Sequence, residues 1–309
     1  MNRLFLIRLL TVTIAACLAM GWAKVARAYD SRKYNFQIAV ADDSGDTKRI
    51  VEGLQKKFPE SHVLPLGEGA RIPKKKRTVY FAVGPSALRR LLAQDLDGPI
   101  VSVFTSSQAY RNIVGAISGS RRTIVTAVYA EPSPFDQLRL ISALYKKQVK
   151  VAVLLGDKNE YLLPTLRHAA SLTNIDLMIE KISADDNLNR ALNRAASIPV
   201  LLAVPDSAVY NAENIGAILL TAYRHNQSVV GFSAAFVKAG ALASTYSEIE
   251  DVIAQVEDLI NEFEVSGRLP EPAFPKYFNV AVNDSVAQSL NLVVDGSVRS
   301  LSRKPGREE

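Results

Sequence analysis

The side chains best suited to chemistry in this sequence are four hydroxyls and one acid that stand directly after predicted strands. Each follows a short apolar run of the kind that forms a buried strand, and the residues are Ser86, Ser106, Ser107, Asp206 and Ser207. Hydroxyls donate and accept hydrogen bonds, whereas a buried carboxylate needs a partner of opposite charge. The pattern therefore predicts a site that binds a small polar ligand.

Asp206 is the charged side chain expected to contact that ligand. Its carboxylate would pair with an ammonium group, while serine hydroxyls and helix N-termini suit a carboxylate, so an amino acid-like or organic acid ligand is expected. Asp206 has an alternative role as a cap of the helix predicted at 212–224. The turn Gly84-Pro85-Ser86-Ala87 has a similar alternative, as a simple entry to the helix after it.

Apolar walls for such a site are expected from aromatic residues near the same predicted loops. A binding pocket combines a mostly apolar lining with a few polar groups that orient the ligand. The candidates for this lining, with one further hydroxyl, are Tyr129, Tyr210, Phe232, Ser233 and Phe236.

No arrangement in the sequence predicts catalysis. The run Gly84-Pro85-Ser86-Ala87-Leu88 lacks the second glycine of a nucleophile elbow. His62, His168 and His225 lack the spacing of metal ligands, and no phosphate-binding glycine loop is present. We therefore expect neither an enzyme nor a bound metal or cofactor.

The elements around these residues alternate between strands and helices in two successive series. The first series occupies roughly 34–128, and Pro132 and Pro134 then interrupt the pattern in an extended segment that could cross between lobes. The second series runs from 149 to 232, and a long amphipathic helix follows at 247–265. With 309 residues, the chain is predicted to form two α/β lobes.

The runs Pro205–Ile215 and Ser228–Ser244 resemble the second-lobe signature of ABC importer solute-binding proteins of the type 1 periplasmic-binding architecture. The resemblance extends more weakly over 34–292. It implies two Rossmann-like lobes joined by a multi-crossing hinge, a small solute as ligand, and an ABC permease and ATPase as partners. Gly84, Ser86 and Ala87 match the family's Gly-(Thr/Ser)-x-Ala loop, whereas Ser106-Ser107-Gln108 replaces its frequent Ser/Thr-Asp-Pro element.

The lobe boundaries follow from this resemblance and from the helix predicted at 247–265. The first lobe is expected to contain residues 29–128 and 247–272, and the second lobe residues 129–246 and 273–295. The tail, 296–309, is polar with alternating charges, so we expect it to be flexible.

Residues 1–28 have the form of a secretory signal, with an apolar run from Leu9 to Trp22 and a cleavage site at Ala26-Arg27-Ala28. The expected location is therefore periplasmic or extracytoplasmic, with acylation of Cys17 as an alternative. This segment supplies four of the basic side chains behind the formal net charge of +6, which leaves +2 for the remainder. So small an excess does not predict nucleic-acid binding.

The sequence thus predicts a monomeric, exported solute-binding protein that captures a small ligand between two lobes and delivers it to a membrane permease. Two alternatives remain. A ligand sensor would present the same closed form to a receptor or kinase, and a degenerate scaffold would no longer bind a solute.

Overall fold

Two sheets organise the chain in the computed structural model, which describes residues 34–116, 123–183 and 186–306. The first sheet is wholly parallel and has the order β2-β1-β3-β4-β5. Its strands are Asn35–Val40 (β1), His62–Pro65 (β2), Thr78–Val83 (β3), Ile100–Thr105 (β4) and Val125–Tyr129 (β5). The central strand β3 is buried along its whole length, as expected where helices cover both faces of a parallel sheet.

Among the described residues, the first lobe has three helices that each follow a strand of this sheet: Gly45–Lys57 (α1), Gly84–Leu92 (α2) and Ser107–Gly115 (α3). Serine caps begin two of them, because the side chain of Ser44 accepts from Thr47 N and that of Ser106 from Ala109 N. Pro85 lies in the first turn of α2, where its missing N–H costs no hydrogen bond.

The second sheet has the order β11-β10-β9-β8-β6-β7 and is parallel except for its β10–β11 pair. Its strands are Val149–Gly156 (β6), Ile175–Ile182 (β7), Val200–Leu202 (β8), Ser228–Gly231 (β9), Ala243–Tyr246 (β10) and Asn279–Val282 (β11). Its α-helices are Pro134–Tyr145 (α4), Leu163–Leu172 (α5), Leu188–Ala195 (α6), Ile215–Arg224 (α7), Ala234–Lys238 (α8) and Asp284–Ser289 (α10), and a 3-10 helix spans Asp157–Leu162.

A long helix, Ile249–Ser266 (α9), packs against the first sheet although it follows a strand of the second. Its apolar face places Val252, Val256 and Phe263 in the same core as Leu54 of α1 and Phe81 of β3. Over the described residues, the chain therefore passes between lobes three times: after β5, after β10, and between α9 and β11.

The last of these passages runs beside the first sheet before it reaches the second. Ala273 pairs with Val128 of β5, and Thr126 Oγ1 donates to the carbonyl of Pro270 at 2.6 Å. Gln255 of α9 accepts from Lys276 N at 2.6 Å and donates to the Phe274 carbonyl at 3.2 Å. The predicted fold class, two Rossmann-like α/β lobes with a multi-crossing hinge, is confirmed.

The expectation of a flexible tail is wrong for residues 296–306. Gly296–Arg299 forms a short helix (α11), and Val298 is fully buried in the core of the second lobe. Phe278 and Arg303 exchange backbone hydrogen bonds of 2.8 and 2.9 Å. Val298 and Leu301 supply an apolar anchor that the surrounding charges conceal in the sequence.

The predicted secretory signal at 1–28 and the alternative at Cys17 lie outside the described residues. Within the described ranges, no helix combines the length and apolar character needed to cross a membrane.

Candidate functional site

The carboxyl ends of β4 in the first lobe and β6 in the second lobe meet across a cleft. Ser107, at the start of α3, and Tyr161, in the 3-10 helix after β6, lie with their hydroxyl oxygens 2.7 Å apart. Gln108, the next residue of α3, lines a cavity together with second-lobe residues. Ligands of open α/β sheets bind beyond the carboxyl ends of the strands, which makes this cleft the candidate site.

The cavity has a volume of about 330 Å³. Apart from Gln108, its lining comes from the ends of β6 and β7 and from the segments that follow β6, β7 and β8. These residues are Gly156, Asp157, Lys158, Ile182, Ser183, Asp186, Leu188, Asp206, Ser207, Ala208 and Val209. The side chains of Asp157, Lys158 and Asp186 are exposed, so charges of both signs are available to a ligand.

Asp206 is held by two backbone amides of the second lobe. Its Oδ2 atom accepts from Gly156 N at 3.0 Å, and its Oδ1 atom accepts from Ala208 N at 3.0 Å. Only 3% of the residue is exposed, and a Cβ atom on Gly156 would lie 2.5 Å from Oδ2. The carboxylate therefore joins the end of β6 to the loop after β8.

The helix after this loop does not use Asp206 as a cap. α7 begins at Ile215, three residues later than the start predicted at 212, and its N-cap residue is Asn214. Asp206 instead stabilises a turn, in which its own carbonyl accepts from Val209 N and Tyr210 N. Ser207 is exposed beside it.

The backbone between β4 and the pair Ser106-Ser107 has an unusual conformation. Phe104 has φ of 56°, a left-handed conformation that is rare for a bulky residue, and the pairing of β4 with β5 shifts between Val103 and Thr105. Backbone strain of this kind often marks functional loops. Here it carries the chain from the sheet into α3 at the cleft.

Glu131 lies behind Ser107, in the first passage between the lobes. Its Oε1 atom accepts from Ser107 N at 2.8 Å and also from Ser107 Oγ. Only 6% of Glu131 is exposed, and its Oε2 atom is buried without a hydrogen-bond partner among the described residues. Burial raises the pKa of this carboxyl above its usual value, and the two Ser107 hydrogen bonds oppose the rise.

Sequence reasoning missed Glu131, Tyr161 and Arg111. The Arg111 guanidinium lies 4.5 Å from the centre of the Tyr161 ring, and burial raises the pKa of Tyr161 to about 12. The one available signal was an acid beside Pro132, in a segment expected to cross between lobes. Nothing in the sequence around Tyr161 or Arg111 distinguishes them from surface residues.

Four of the predicted site residues lie around the cleft: Ser106 and Ser107 from the first lobe, and Asp206 and Ser207 from the second. Ser86 is exposed in the first turn of α2. Tyr129 is buried at the base of the hinge, where its ring packs edge-on against Tyr110 and Phe274.

The remaining predicted residues form an aromatic cluster in the second lobe. Tyr210, Phe232 and Phe236 have ring centroids 5.0–6.1 Å apart, and Tyr210 and Phe236 belong to its buried core. Ser233 caps α8 by accepting from Phe236 N at 3.3 Å. The described contacts of these four side chains therefore support the second lobe from within.

A larger cavity, of about 670 Å³, lies on the first lobe between α1 and the edge strand β2. It is lined only by residues between Val40 and Gly67. Because a solute held between lobes must contact both of them, the smaller cavity at Gln108 is the better candidate. Among the described residues, no cluster of three or more histidine, cysteine or acidic side chains could hold a metal ion.

Comparisons with known proteins agree with this architecture. No protein-family model matches the sequence, and no curated protein matches it. Among solved structures, the chain is similar to a ligand-free, open substrate-binding protein with adhesive properties from Clostridium difficile, with 14% identity and a TM-score of 0.62 over 86% of this chain and 98% of that one.

Two further structures have a TM-score of 0.56, and each match covers 87% of this chain and 98% of the other. One is a conserved domain protein from Vibrio cholerae, at 15% identity. The other is an ABC domain from Streptococcus pneumonia in complex with L-Trp, at 14% identity. The chain has the type 1 periplasmic-binding fold.

Proposed function

We propose that this chain is an exported solute-binding protein of an ABC importer, which captures a small solute between its lobes and delivers it to a membrane permease. The observation that carries this proposal is the cavity at the carboxyl ends of the strands, to which Gln108 contributes from one lobe and Asp206–Val209 from the other. The fold shared with substrate-binding proteins supports it.

The mechanism is a shift between open and closed arrangements of the lobes. A solute in the cavity contacts both lobes only when they are closed, so its binding energy favours the closed state. The permease and its ATPase would recognise that closed shape. No catalytic step is part of this proposal.

An amino acid-like or organic acid solute fits the charges that line the cavity. The Lys158 ammonium suits a carboxylate of the solute, and Asp157 and Asp186 suit an ammonium. A volume of about 330 Å³ lies at the small end of the range for ligand sites. One structural neighbour was solved with L-Trp, which supports this class.

The direct test is calorimetric titration of the purified protein, without residues 1–28, against amino acids, small organic acids and sugars. We expect saturable binding of one ligand per chain within the first two classes, with a smaller radius of gyration in X-ray scattering. Failure to bind any of these solutes would contradict the proposal, and binding only of sugars would contradict the ligand class.

Lys158→Ala provides the matching variant. Loss of one charge-assisted hydrogen bond should weaken binding of a carboxylate-bearing solute by about tenfold or more. Lys150→Ala is the control, because Lys150 lies at the start of β6, at the end of that strand remote from Lys158, and pairs with Asp176 at 3.7 Å. Equal effects of the two substitutions would show that Lys158 does not contact the solute.

A further inference from the structure

Ser107, Glu131 and Tyr161 connect three parts of the molecule that a hinge motion would move separately. Ser107 belongs to the first lobe, Glu131 to the passage between lobes, and Tyr161 to the second lobe. We propose that these three side chains form a latch that favours the closed arrangement of the lobes before any solute binds.

The direction of the hydrogen bonds follows from the available protons. Ser107 has a single hydroxyl proton, which it donates to Glu131 Oε1. The Ser107 oxygen must then accept from Tyr161 OH, 2.7 Å away. Each bond in this chain polarises the next, so the bond across the cleft depends on Glu131 although Glu131 does not cross it.

Both ends of the latch are rigidly supported. Ser107 is 1% exposed and also donates its backbone N–H to Glu131, while the Tyr161 ring packs against the core of the second lobe. Arg111 lies one helical turn after Ser107 on α3 and places its guanidinium over the same ring. One face of α3 therefore contacts Tyr161 twice.

A latch of this kind sets the fraction of closed protein when no solute is present. One net hydrogen bond changes an equilibrium about two- to tenfold. The apparent affinity for a solute changes with the fraction of protein that is competent to bind it. The latch would thus tune affinity from outside the cavity, which goes beyond the proposed function.

The test measures the distance between lobes in the solute-free protein. The one cysteine of the sequence, Cys17, lies within residues 1–28, so the purified protein without that segment can carry spin labels at Arg89→Cys on the first lobe and Lys238→Cys on the second, both exposed. Pulsed electron paramagnetic resonance gives the distance distribution. Tyr161→Phe removes one oxygen and retains the ring over which Arg111 lies.

We expect Tyr161→Phe to increase the ratio of open to closed protein about two- to tenfold, visible as a growing long-distance population. Ser107→Ala should do the same, and the double variant should add little to either single one. Glu131→Gln retains an acceptor for Ser107 and should behave like the parent. Tyr223→Phe is the control, because that tyrosine is 73% exposed.

An unchanged distance distribution in both Tyr161→Phe and Ser107→Ala would overturn the proposal, whatever happens to the melting temperature. A lower melting temperature without a change in distance would show that the contact only stabilises the fold. The measurement uses no solute, so it remains decisive even if no solute is found and the proposed function fails.

Discussion

Asp206 uses both carboxylate oxygens within its own lobe. From the sequence, this residue could have been a ligand for an ammonium group or a helix cap. Its contacts give it a structural task that is neither of these, because it connects two loops at the floor of the cavity. Binding of a solute remains compatible with that task, since each oxygen can accept a second hydrogen bond.

Replacement of Asp206 should therefore destabilise the solute-free protein. We expect Asp206→Ala to lower the free energy of unfolding by about 2 kcal/mol or more, because Gly156 N–H loses its acceptor. Asp176→Ala is the control, since Asp176 is exposed and pairs only with Lys150 in the described contacts. Urea unfolding measures the free energy of unfolding of both variants. If Asp206→Ala leaves it unchanged, the carboxylate has no structural role and its function is to bind a ligand.

Glu131 should make stability depend on pH. Burial raises its pKa in the folded state, so between the unfolded and folded pKa values the folded chain retains a proton that the unfolded chain has lost. Stability therefore falls as pH rises from about 4.3, the usual value for glutamate, through the raised pKa. Arg111, Tyr129 and Tyr161 lie around this site, and neither tyrosine ionises in that range.

Glu131→Gln should abolish this dependence while it keeps the acceptor for Ser107. Relative to the parent, we expect the variant to gain unfolding free energy between pH 4 and pH 7, by about 1.4 kcal/mol for each unit by which the pKa is raised. Urea unfolding at several pH values measures the gain. Glu213→Gln, in an exposed loop, should show no such trend, and a parallel pH profile for parent and Glu131→Gln would contradict the assignment.

At the level of elements, the helix α11 packs against the core of the second lobe. Val298→Ala should destabilise the protein by about 2 kcal/mol, because it removes two buried methyl groups and leaves a cavity in the core. Val293→Ala provides the matched control at a position that is 73% exposed. Similar unfolding free energies for the two variants would mean that residues 296–306 pack only weakly in solution.

The sequence was most informative where an element is long and strongly apolar. The strands around Phe81, Val101 and Val153 and the long helix α9 were predicted from uninterrupted runs or helical spacing. β10 was missed because Ala243–Tyr246 is short and three of its four side chains carry a hydroxyl. α11 was missed because its apolar anchor consists only of Val298 and the partly buried Leu301. Short elements depend on contacts distant in sequence, which periodicity does not report.

The candidate site divides in the same way. Ser106, Ser107, Asp206 and Ser207 could be predicted because each follows a recognisable strand. Glu131 and Tyr161 both contact Ser107, from which they are 24 and 54 positions away in the sequence. Contacts over such distances are visible only in the folded chain. The aromatic side chains were expected to line the pocket, yet Tyr210 and Phe236 contact the second-lobe core, since no pattern distinguishes a pocket wall from an interior packing position.

At the scale of the whole molecule, Gln255 of α9 ties down the last passage between lobes through Phe274 and Lys276. Gln255→Ala should release this segment without unfolding either lobe. We expect faster hydrogen exchange at residues 273–277 by about an order of magnitude, because two hydrogen bonds are lost. Gln288→Ala, at an exposed position, is the control. Unchanged hydrogen exchange in Gln255→Ala would show that the backbone contacts with β5 keep this passage rigid.

The hydrogen bonds from Gly156 and Ala208 to Asp206 lie entirely within the second lobe, so these three residues move together when the lobes rotate. If solute capture proceeds as proposed, this part of the cavity is already formed on the second lobe before closure, and the order of events follows from it. The solute binds first to the preassembled loops of the second lobe. The first lobe then closes over it and brings Gln108 into contact. Association would then require a solute-free chain in the open arrangement, and dissociation would depend on how often the lobes separate.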